Sequence, residues 1–343
     1  RASPSNIVRE SPDAAARDGD APARLCPGRL PPRCLIEPAT RRRAPSSYLH
    51  PRVHQTLTSI KDLLASRGLA PKKSLGQNFL VDHNLVKKLA DAADLKPGDV
   101  VLEIGPGTGV LTDELLARGV RVIACELDDG LGALLEERLA AARQSGHFRL
   151  IKGDCLDGKR ALHPTLREIL VPLAAFKLVA NLPYGCATPL MTNLLLDYPN
   201  CSGLFVTVQK EVADRLGAKP GGKDYGPLSI IATAIASVKP IAKLPPECFW
   251  PRPDVTSSMC SATRLAMPLT PNVHALADFV QALFEQRRKQ IGGVLRDRFD
   301  VREPFAYPDG IDAKSRAENL SAGQLLALLL AVESGGGRTG AVS

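Results

Sequence analysis

Val100-Val101-Leu102-Glu103-Ile104-Gly105-Pro106-Gly107-Thr108-Gly109 is the stretch of this sequence that decides the fold. Its first five residues form an apolar run that predicts a buried strand, and the glycines after it predict a tight turn. Val110 to Ala117 then has the pattern of a helix. A strand, a glycine-rich turn and a helix in this order predict a ligand site at the turn, because glycines let a ligand approach the backbone closely.

The spacing of these glycines discriminates between two cofactor classes. A dinucleotide fingerprint has its third glycine five positions after the first, and Val110 stands there instead. Gly105 and Gly107, preceded by Glu103, fit the S-adenosylmethionine turn of class I methyltransferases better. We therefore predict that Gly105 and Gly107 bind S-adenosylmethionine.

Two acidic residues follow the next two predicted strands. Val120 to Cys125 ends in Glu126, 21 residues after Gly105, where an acid can accept both ribose hydroxyls of a nucleoside cofactor. Enzymes that use NAD have the same device, so Glu126 alone does not separate the classes. After the strand Phe148 to Ile151, Asp154 is a candidate ligand of the adenine amine, and a surface turn is its alternative interpretation.

Asn181-Leu182-Pro183-Tyr184 follows the apolar strand Phe176 to Ala180 and precedes a helix, Thr188 to Leu196, for which Thr188 is the expected cap. The Asn181 amide oxygen and the Leu182 carbonyl, stiffened by Pro183, can accept hydrogen bonds from an amino group. The Tyr184 ring offers a flat face to a base. These four residues predict a site for a nucleobase amine, although the same residue types also favour a simple turn.

Alternating strands and helices predict an α/β fold with a parallel, Rossmann-like sheet, and they bring the motifs to one edge of it. Leu228 to Ser237 is an apolar strand or a buried helix, and Val255 to Arg264 is expected to close the sheet as an antiparallel strand. The proline-rich loop 245–253 presents Phe249 and Arg252, and Arg252 is a candidate RNA-binding residue. Phe249 is a candidate second stacking face for a flipped base, and a plain connector is the alternative.

Composition predicts four segments. Residues 1–50 are rich in Arg and Pro and are expected to be disordered, and an organelle transit peptide is disfavoured there by five acidic residues. Residues 51–265 form the predicted methyltransferase domain, residues 266–333 a helical RNA-contacting domain, and residues 334–343 a flexible tail. In the helical domain Arg287, Arg288 and Lys289 are candidate phosphate ligands, and a solvated charged face is the alternative.

Bulk properties narrow the class of partner. The 343 residues carry a net charge of +8, with a sequence pI near 9.1, which favours a polyanionic partner. No apolar run is long enough for a membrane span. The eight cysteines are scattered, which favours reduced thiols in a cytosolic type of compartment. We expect no metal site, a monomer, and a location in bacterial-type cytoplasm or in an organelle matrix or stroma.

Eight motifs, read in order, closely resemble the KsgA family, the dimethyladenosine transferases of small-subunit ribosomal RNA. The resemblance spans about residues 52 to 332 and excludes the N-terminal segment. The motifs are Gly76-Gln77-Asn78-Phe79-Leu80, Glu103 to Gly109, Glu126-Leu127-Asp128, Asn181 to Tyr184, Gln209-Lys210-Glu211-Val212, Phe249-x-Pro-x-Pro-x-Val255-x-Ser257, Gln286-Arg287-Arg288-Lys289 and Arg316-Ala317-Glu318-Asn319.

The resemblance implies transfer of four methyl groups from S-adenosylmethionine, two to each of two adjacent adenosines near the 3′ end of 16S-type RNA in the small ribosomal subunit. It implies that the target amine is held by Asn181 and the Leu182 carbonyl, with Tyr184 stacking on the adenine. It also implies a set of cofactor ligands, namely Asn78, Leu80, Gly105, Glu126, Asp154 and Asn181.

Two departures from the family's pattern bear on function. Gly185 stands where the family often has Asn, which predicts a looser loop, and Gly292-Gly293 predict a helix break and a weaker RNA contact. Two other functions stay open. One is a non-catalytic RNA-binding or DNA-binding relative that acts in ribosome assembly or organellar transcription. The other is a resistance-type methyltransferase of large-subunit RNA, which typically has Ile where Leu182 stands.

Overall fold

The computed structural model describes residues 50–51, 55–158, 161–335 and 337. The disorder predicted for residues 1–50 and the flexibility predicted for residues 334–343 therefore fall almost wholly outside the described residues. The described residues belong to one unit by their contacts, so the predicted boundary between residues 265 and 266 stays a prediction.

Strands make up the centre of the described chain. They are β1 (Phe79–Leu80), β2 (Val100–Ile104), β3 (Arg121–Glu126), β4 (Phe148–Lys152), β5 (Leu156–Asp157), β6 (Ala161–Leu162), β7 (Phe176–Asn181), β8 (Cys201–Gln209), β9 (Ala236–Leu244), β10 (Phe249–Trp250) and β11 (Ser257–Arg264).

Helices surround these strands. They are α1 (Leu57–Ala65), α2 (His83–Ala92), α3 (Val110–Leu116), α4 (Asp129–Arg138), α5 (Ala140–Gln144), α6 (Pro164–Leu170), α7 (Ala187–Asp197), α8 (Lys210–Leu216), α9 (Pro227–Ile235), α10 (Val273–Phe284), α11 (Ile291–Phe299) and α12 (Ala322–Ser334). Single 3₁₀ turns occur at Lys73–Leu75, Pro246–Cys248 and Ala317–Asn319.

Seven strands form the main sheet in the order β4-β3-β2-β7-β8-β11-β9. The first five are parallel, and β11 is antiparallel to both of its neighbours, as the sequence predicts for Val255 to Arg264. The chain moves outward from β2 through β3 to β4 and then returns to place β7 on the other side of β2. In open α/β sheets such a switch point creates the crevice where ligands bind.

Burial on both faces explains why the central strands are largely apolar. All five residues of β2 are buried, and alternate residues serve different cores: Leu102 and Ile104 pack into one, Val101 into the other. Helices α1 to α5 cover one face, while α6 to α12 contribute to the core on the opposite face. The period of two along the strand thus anchors helices on both sides of the glycine turn.

Two local predictions are corrected by the structure. Helix α7 begins at Ala187, and its cap residue is Cys186, which makes no side-chain cap hydrogen bond, so Thr188 lies within the helix. The segment Leu228 to Ser237, for which strand and helix were both considered, is a helix except for its last two residues: α9 ends at Ile235 and β9, which was not predicted, begins at Ala236. Its residues are apolar on all sides because α9 packs against α7, α10 and α12.

The helix break predicted at Gly292-Gly293 is also wrong, since both glycines lie within α11. A side chain at Gly292 would meet Ala313 Cβ at 2.9 Å and the Tyr307 hydroxyl at 3.1 Å, whereas nothing lies within 4 Å of a side chain at Gly293. Close packing against residues 307–313 therefore accounts for the first glycine. Within the described residues, no helix has the length and apolar character needed to cross a membrane.

Candidate functional site

A large open cavity lies at the switch point, above the carboxyl ends of β2, β3 and β7. Its volume is about 1390 Å³, and α10 and α11 contribute its far wall. Most of the predicted site residues line it: Asn78, Gly105, Gly107, Glu126, Asp154, Asn181, Leu182, Pro183 and Tyr184. Pockets for single small ligands occupy roughly 300–1,000 Å³, so this cavity has room for two partners.

The glycine turn at the carboxyl end of β2 lets two loops approach its backbone closely. Gly105 and Gly107 have φ angles of +67° and +60°, which favour glycine. A Cβ on Gly105 would lie 2.9 Å from Pro183 Cγ, and one on Gly107 would lie 2.8 Å from the Phe79 ring. The missing side chains therefore allow two loops to pack directly on the turn: Asn181-Leu182-Pro183-Tyr184, here called the target-base loop after its predicted role, and residues 73–79.

Glu126 is held by backbone donors at the end of β3. Its Oε2 accepts from the Gly107 N–H at 3.1 Å and its Oε1 from the Asp128 N–H at 2.9 Å. Burial raises the pKa of the carboxyl, and those two hydrogen bonds oppose the rise. A carboxylate fixed in this way against the glycine turn is suited to accept hydroxyl groups of a ribose.

Asp128 anchors the loop in front of the cavity, a role that the sequence analysis missed. It caps α4, and its carboxylate also accepts from Lys72 Nζ at 2.9 Å and Gln77 Nε2 at 3.1 Å. Burial would raise the pKa of Asp128, but the hydrogen bond from Lys72 and those from the α4 backbone and Gln77 lower it overall. The sequence contained a signal for this role, because Asp128 comes immediately before a helix and the loop that contains Lys72 is basic.

A buried network supports the glycine turn from behind and also escaped prediction. Asp113, in the first turn of α3, accepts from Arg138 Nη1 at 2.8 Å and from Gln55 Nε2 at 2.9 Å. The same two donors reach the turn itself: Gln55 donates to the Thr108 carbonyl and Arg138 to the Gly109 carbonyl. Although burial opposes ionisation, His50 and Arg138 together keep the pKa of Asp113 below its usual value.

Glu103 lies under the turn and is almost wholly buried. Thr112 donates a hydrogen bond of 2.7 Å from its hydroxyl to Glu103 Oε2. Burial raises the pKa of Glu103 to about 8, against the effect of that hydrogen bond. The side chain is therefore protonated at neutral pH and acts as a neutral hydrogen-bonding group.

The target-base loop is fixed by contacts on three sides. Asn181 Nδ2 donates to the Asn78 carbonyl at 3.0 Å, and the Leu182 N–H donates to the Thr207 carbonyl at 3.0 Å. The Tyr184 hydroxyl lies 3.3 Å from that of Ser257. Because a carbonyl can only accept, the first bond fixes the orientation of the Asn181 amide. Its Oδ1 is then the atom that can accept a hydrogen bond from a bound amine.

Asp154 and Gly185 lie in exposed parts of the cavity rim. Asp154 Oδ1 accepts from the Leu156 N–H at 2.9 Å, so one carboxylate oxygen is used within its own turn. Nothing lies within 4 Å of a side chain placed on Gly185, and its φ is not in the left-handed region. This position therefore does not require glycine, and a looser loop there stays a prediction.

Leu80 and Phe249 lie apart from the other predicted site residues. They face each other as partners in the short antiparallel pair β1–β10, and they are 6% and 4% exposed. Neither lines the cavity. The pairing of β1 with β10 joins the proline-rich loop 245–253 to the 73–79 loop. The side chains of Leu80 and Phe249 both pack into the core that α1 to α5 cover. The stacking role of Phe249 and the cofactor role of Leu80 stay predictions.

The predicted RNA-binding residues differ in how far their charges are already used. Arg287 pairs with Glu318 at 2.7 Å and donates to the Gly222 carbonyl at 3.1 Å. The exposed Arg252 pairs with Glu247 at 2.6 Å. Arg288 and Lys289 are exposed and line a second cavity of about 510 Å³ beside α10.

The side chains of the described residues distinguish between a metal ion and an organic cofactor. No group of three or more His, Cys, Asp or Glu side chains in that part of the chain is arranged to hold a metal ion. The glycine turn, by contrast, combines an open backbone with the backbone-anchored carboxylate of Glu126. This donor set fits an adenosyl cofactor, which has hydroxyl groups to donate and a flat base to pack.

The strand order with its antiparallel β11, together with the glycine turn, defines a Rossmann-like class I methyltransferase. A family model described as "Ribosomal RNA adenine dimethylase" matches residues 68–333. The chain belongs to this family of methyltransferases.

Curated relatives agree with that assignment. A "Ribosomal RNA small subunit methyltransferase A" from Opitutus terrae is 42% identical over 245 residues, which is 71% of this chain and 85% of the relative. The protein of the same name from Moorella thermoacetica is 41% identical over 266 residues, covering 75% and 91% of the two chains.

Solved structures share the fold. A dimethyladenosine transferase from Plasmodium falciparum aligns with a TM-score of 0.62 at 22% identity, over 76% of this chain and 98% of that one. The 23S rRNA methyltransferase ErmE aligns with a TM-score of 0.57 at 25% identity, over 75% of this chain and all of that one. The KsgA resemblance and the α/β class I fold predicted from the sequence are thus confirmed.

Proposed function

We propose that this protein transfers methyl groups from S-adenosylmethionine to the exocyclic amines of two adjacent adenosines near the 3′ end of small-subunit ribosomal RNA, dimethylating both. The family and the names of the curated relatives support the substrate class. The basic charge of the chain is consistent with a nucleic-acid substrate.

One contact supports the proposal most directly. Asn181 Nδ2 donates to the Asn78 carbonyl, so its Oδ1 can accept from an adenine amine above the glycine turn. The Leu182 carbonyl can accept the second amine hydrogen. Two such bonds favour a pyramidal nitrogen, whose lone pair is then directed away from the ring and available for displacement.

The cofactor would be held by the glycine turn, with the ribose on Glu126 and the adenine near Asp154. Bound S-adenosylmethionine supplies an electrophilic methyl group on a sulfonium. The protein has to orient the nitrogen toward that methyl group and to exclude water from the reaction site, and no strong general base is required. Protonated Glu103 and the Asp113 network keep the turn rigid beneath the site.

The proposed substrate implies a location where small ribosomal subunits are assembled, either bacterial-type cytoplasm or the matrix or stroma of an organelle. A partner in the form of the small subunit belongs to the same proposal. Monomeric action is part of the same proposal.

The test is transfer of labelled methyl groups to small subunits from a strain that lacks this modification, followed by mapping of the modified nucleotides. We expect two adjacent dimethyladenosines near the 3′ end. Label only in large-subunit RNA would support the resistance-type alternative, and no transfer to any RNA would support a non-catalytic relative.

A variant pair tests the site. Asn181→Ala should lower turnover by about 100-fold or more, because the amine loses its orienting acceptor, while cofactor affinity measured by calorimetry falls much less. Asn84→Ala is the matched control, since Asn84 is exposed on α2 away from the cavity. Turnover of the Asn181 variant near that of the control would refute the assignment.

A further inference from the structure

The large cavity continues beyond the target-base loop as a groove between α7 and α10. On α7 its lining residues recur with the period of a helix: Thr188, Thr192 and Leu196, with Pro189, Asn193 and Asp197 one position further on. On α10 they recur at intervals of three and four residues from His274 to Glu285. One face of each helix therefore lines the groove, which follows α7 for about 14 Å at a rise of about 1.5 Å per residue. The proposed mechanism gives this groove no role.

Asn193 is a polar side chain of the groove that the fold leaves without a bond. The residue is 6% exposed, and its Nδ2 is buried with no hydrogen-bond partner within the part of the chain that the structure describes. A buried amide in this state lowers the stability of a protein, because it loses its bonds to water and gains none in return. A ligand that enters the groove would supply the partner.

The amide of Asn193 also differs from that of Asn181 in its freedom to turn. Asn181 is oriented by the bond from its Nδ2 to the Asn78 carbonyl, whereas no bond from Nδ2 to a described residue orients Asn193. Rotation about the Cβ–Cγ bond can therefore direct either the donor or the acceptor of Asn193 into the groove. Adenine is matched to such an amide, since its amine donates while the ring nitrogen beside it accepts.

The charges along α10 favour a base over a phosphate in this groove. His274 pairs with Asp197 at 3.3 Å, and Glu285 pairs with Arg298 of α11. Asp278, which lies between them on α10, adds an exposed carboxylate to the lining. A carboxylate repels the phosphates of RNA but accepts hydrogen bonds from a base amine. An RNA strand would therefore enter the groove with a base and keep its backbone outside.

We propose that the groove between α7 and α10 holds the adenine next to the target adenine, and that Asn193 binds it by hydrogen bonds. Asn193 lies six residues after Ala187, where α7 begins, which is about 9 Å along the helix axis. Stacked bases are only about 3.4 Å apart, so the two adenines are held unstacked, as a flipped target base requires. The adenine that is not being methylated thus has its own place in the cavity. The identity of the RNA rests on the proposed function, whereas the preference for a second adenine is measurable without turnover.

Binding of dinucleotides to the full-length protein tests the groove directly. The protein is saturated with S-adenosylhomocysteine, which fills the cofactor site and permits no transfer, and is then titrated by calorimetry with adenylyl-adenosine, adenylyl-uridine and uridylyl-adenosine. Each mixed dinucleotide can place its adenine over the glycine turn, so only adenylyl-adenosine can fill both places with adenine. It should bind about tenfold tighter or more than either mixed dinucleotide, which is the discrimination that one paired base contact gives. Equal affinities of the three dinucleotides would overturn the inference.

Asn193→Leu removes the amide and nearly keeps the size of the side chain. The preference for adenylyl-adenosine should fall to about twofold or less, and the melting temperature should rise, because an apolar group replaces a buried amide that has no partner. Asn84→Leu is the matched control, since Asn84 is exposed on α2 away from the cavity, and it should keep the full preference. A lower melting temperature of Asn193→Leu would show that the amide stabilises the fold and would overturn the inference, as would an unchanged preference.

Small subunits in which one of the two adenosines is replaced by uridine extend the test to the RNA. With the wild-type protein, the KM for methylation of the remaining adenosine should rise by about tenfold. With Asn193→Leu the same replacement should change the KM by less than about twofold, because the contact is already lost. Equal effects in the two proteins would contradict the assignment of Asn193. Failure of the wild type to methylate intact subunits would instead overturn the proposed function, while the dinucleotides would still show whether a second adenine is bound.

Discussion

Replacing Gly105 by alanine tests whether the glycine turn sets the position of the target-base loop. The φ angle of +67° is a left-handed conformation, in which a residue with a Cβ costs roughly 1–2 kcal/mol. The new Cβ would lie 2.9 Å from Pro183 Cγ, whereas ordinary contact begins at 3.4 Å, so the loop must move by at least 3.4 − 2.9 = 0.5 Å.

That displacement acts on the loop Asn181 to Tyr184, which is proposed to orient the amine. A misplacement of about 1 Å can lower a rate by about 100-fold, so we expect turnover of Gly105→Ala to fall between about tenfold and 100-fold. The free energy of unfolding should fall by the strain of about 1–2 kcal/mol plus the cost of the contact.

Gly68→Ala is the matched control, because Gly68 has a φ of +63° and no atom lies within 4 Å of a side chain there. It has the same backbone strain without the contact with Pro183. We expect it to lose about 1–2 kcal/mol of stability and to keep its turnover.

The assay is labelled-methyl transfer under saturating cofactor and small subunit, with unfolding measured in urea on the same preparations. Equal turnover in the two variants would refute the reasoning, because strain alone would then explain everything that Gly105→Ala does. A large loss of turnover in Gly105→Ala alone would confirm that Pro183 has to pack directly against the backbone of Gly105.

Three further outcomes are expected. Glu103 keeps its proton to about pH 8 in the folded protein, whereas in the unfolded chain it loses the proton near pH 4.5. The free energy of unfolding should therefore fall as the pH rises through this window. Glu103→Gln should remove this pH dependence in urea titrations. Arg287→Ala should lower the melting temperature because it breaks an ion pair, whereas Arg288→Ala should leave the melting temperature unchanged, weaken RNA binding, and reduce the salt slope by about 1. Gly293→Ala should stabilise α11 by about 0.5–1 kcal/mol, because a side chain there meets no neighbour. Gly292→Ala should instead destabilise the protein, as measured by calorimetry, because a side chain at Gly292 would collide with Ala313.

Much of the fold was predictable because the signals were local. Buried parallel strands are largely apolar, and the glycine turn follows directly after one of them, so the strands β2, β3, β4 and β7 were all found to within a few residues. Strand β9 was missed. Pro240 and lysines interrupt its sequence, and it follows directly on a helix that is apolar on every side.

The candidate site was predictable in its residue types and less so in its contacts. Glu126 and Asn181 come directly at strand ends, which is visible in the sequence. The partners that orient them are not adjacent in the chain: Asn78 lies 103 residues before Asn181, and Gln55 lies 58 before Asp113. Those contacts depend on which helices, strands and loops pack together. The local sequence pattern does not predict that packing.

The sequence by itself determined the class of fold, the edge of the sheet at which the candidate site lies and the residue types available there, because periodicity and turn residues act over a few positions. Only the tertiary structure decided that Asn181 Nδ2 donates to the Asn78 carbonyl, which leaves Oδ1 as the acceptor of that amide, and that Phe249 is buried against β1. Each of these depends on distances between segments far apart in the chain, and such distances are set when the two cores pack against the sheet.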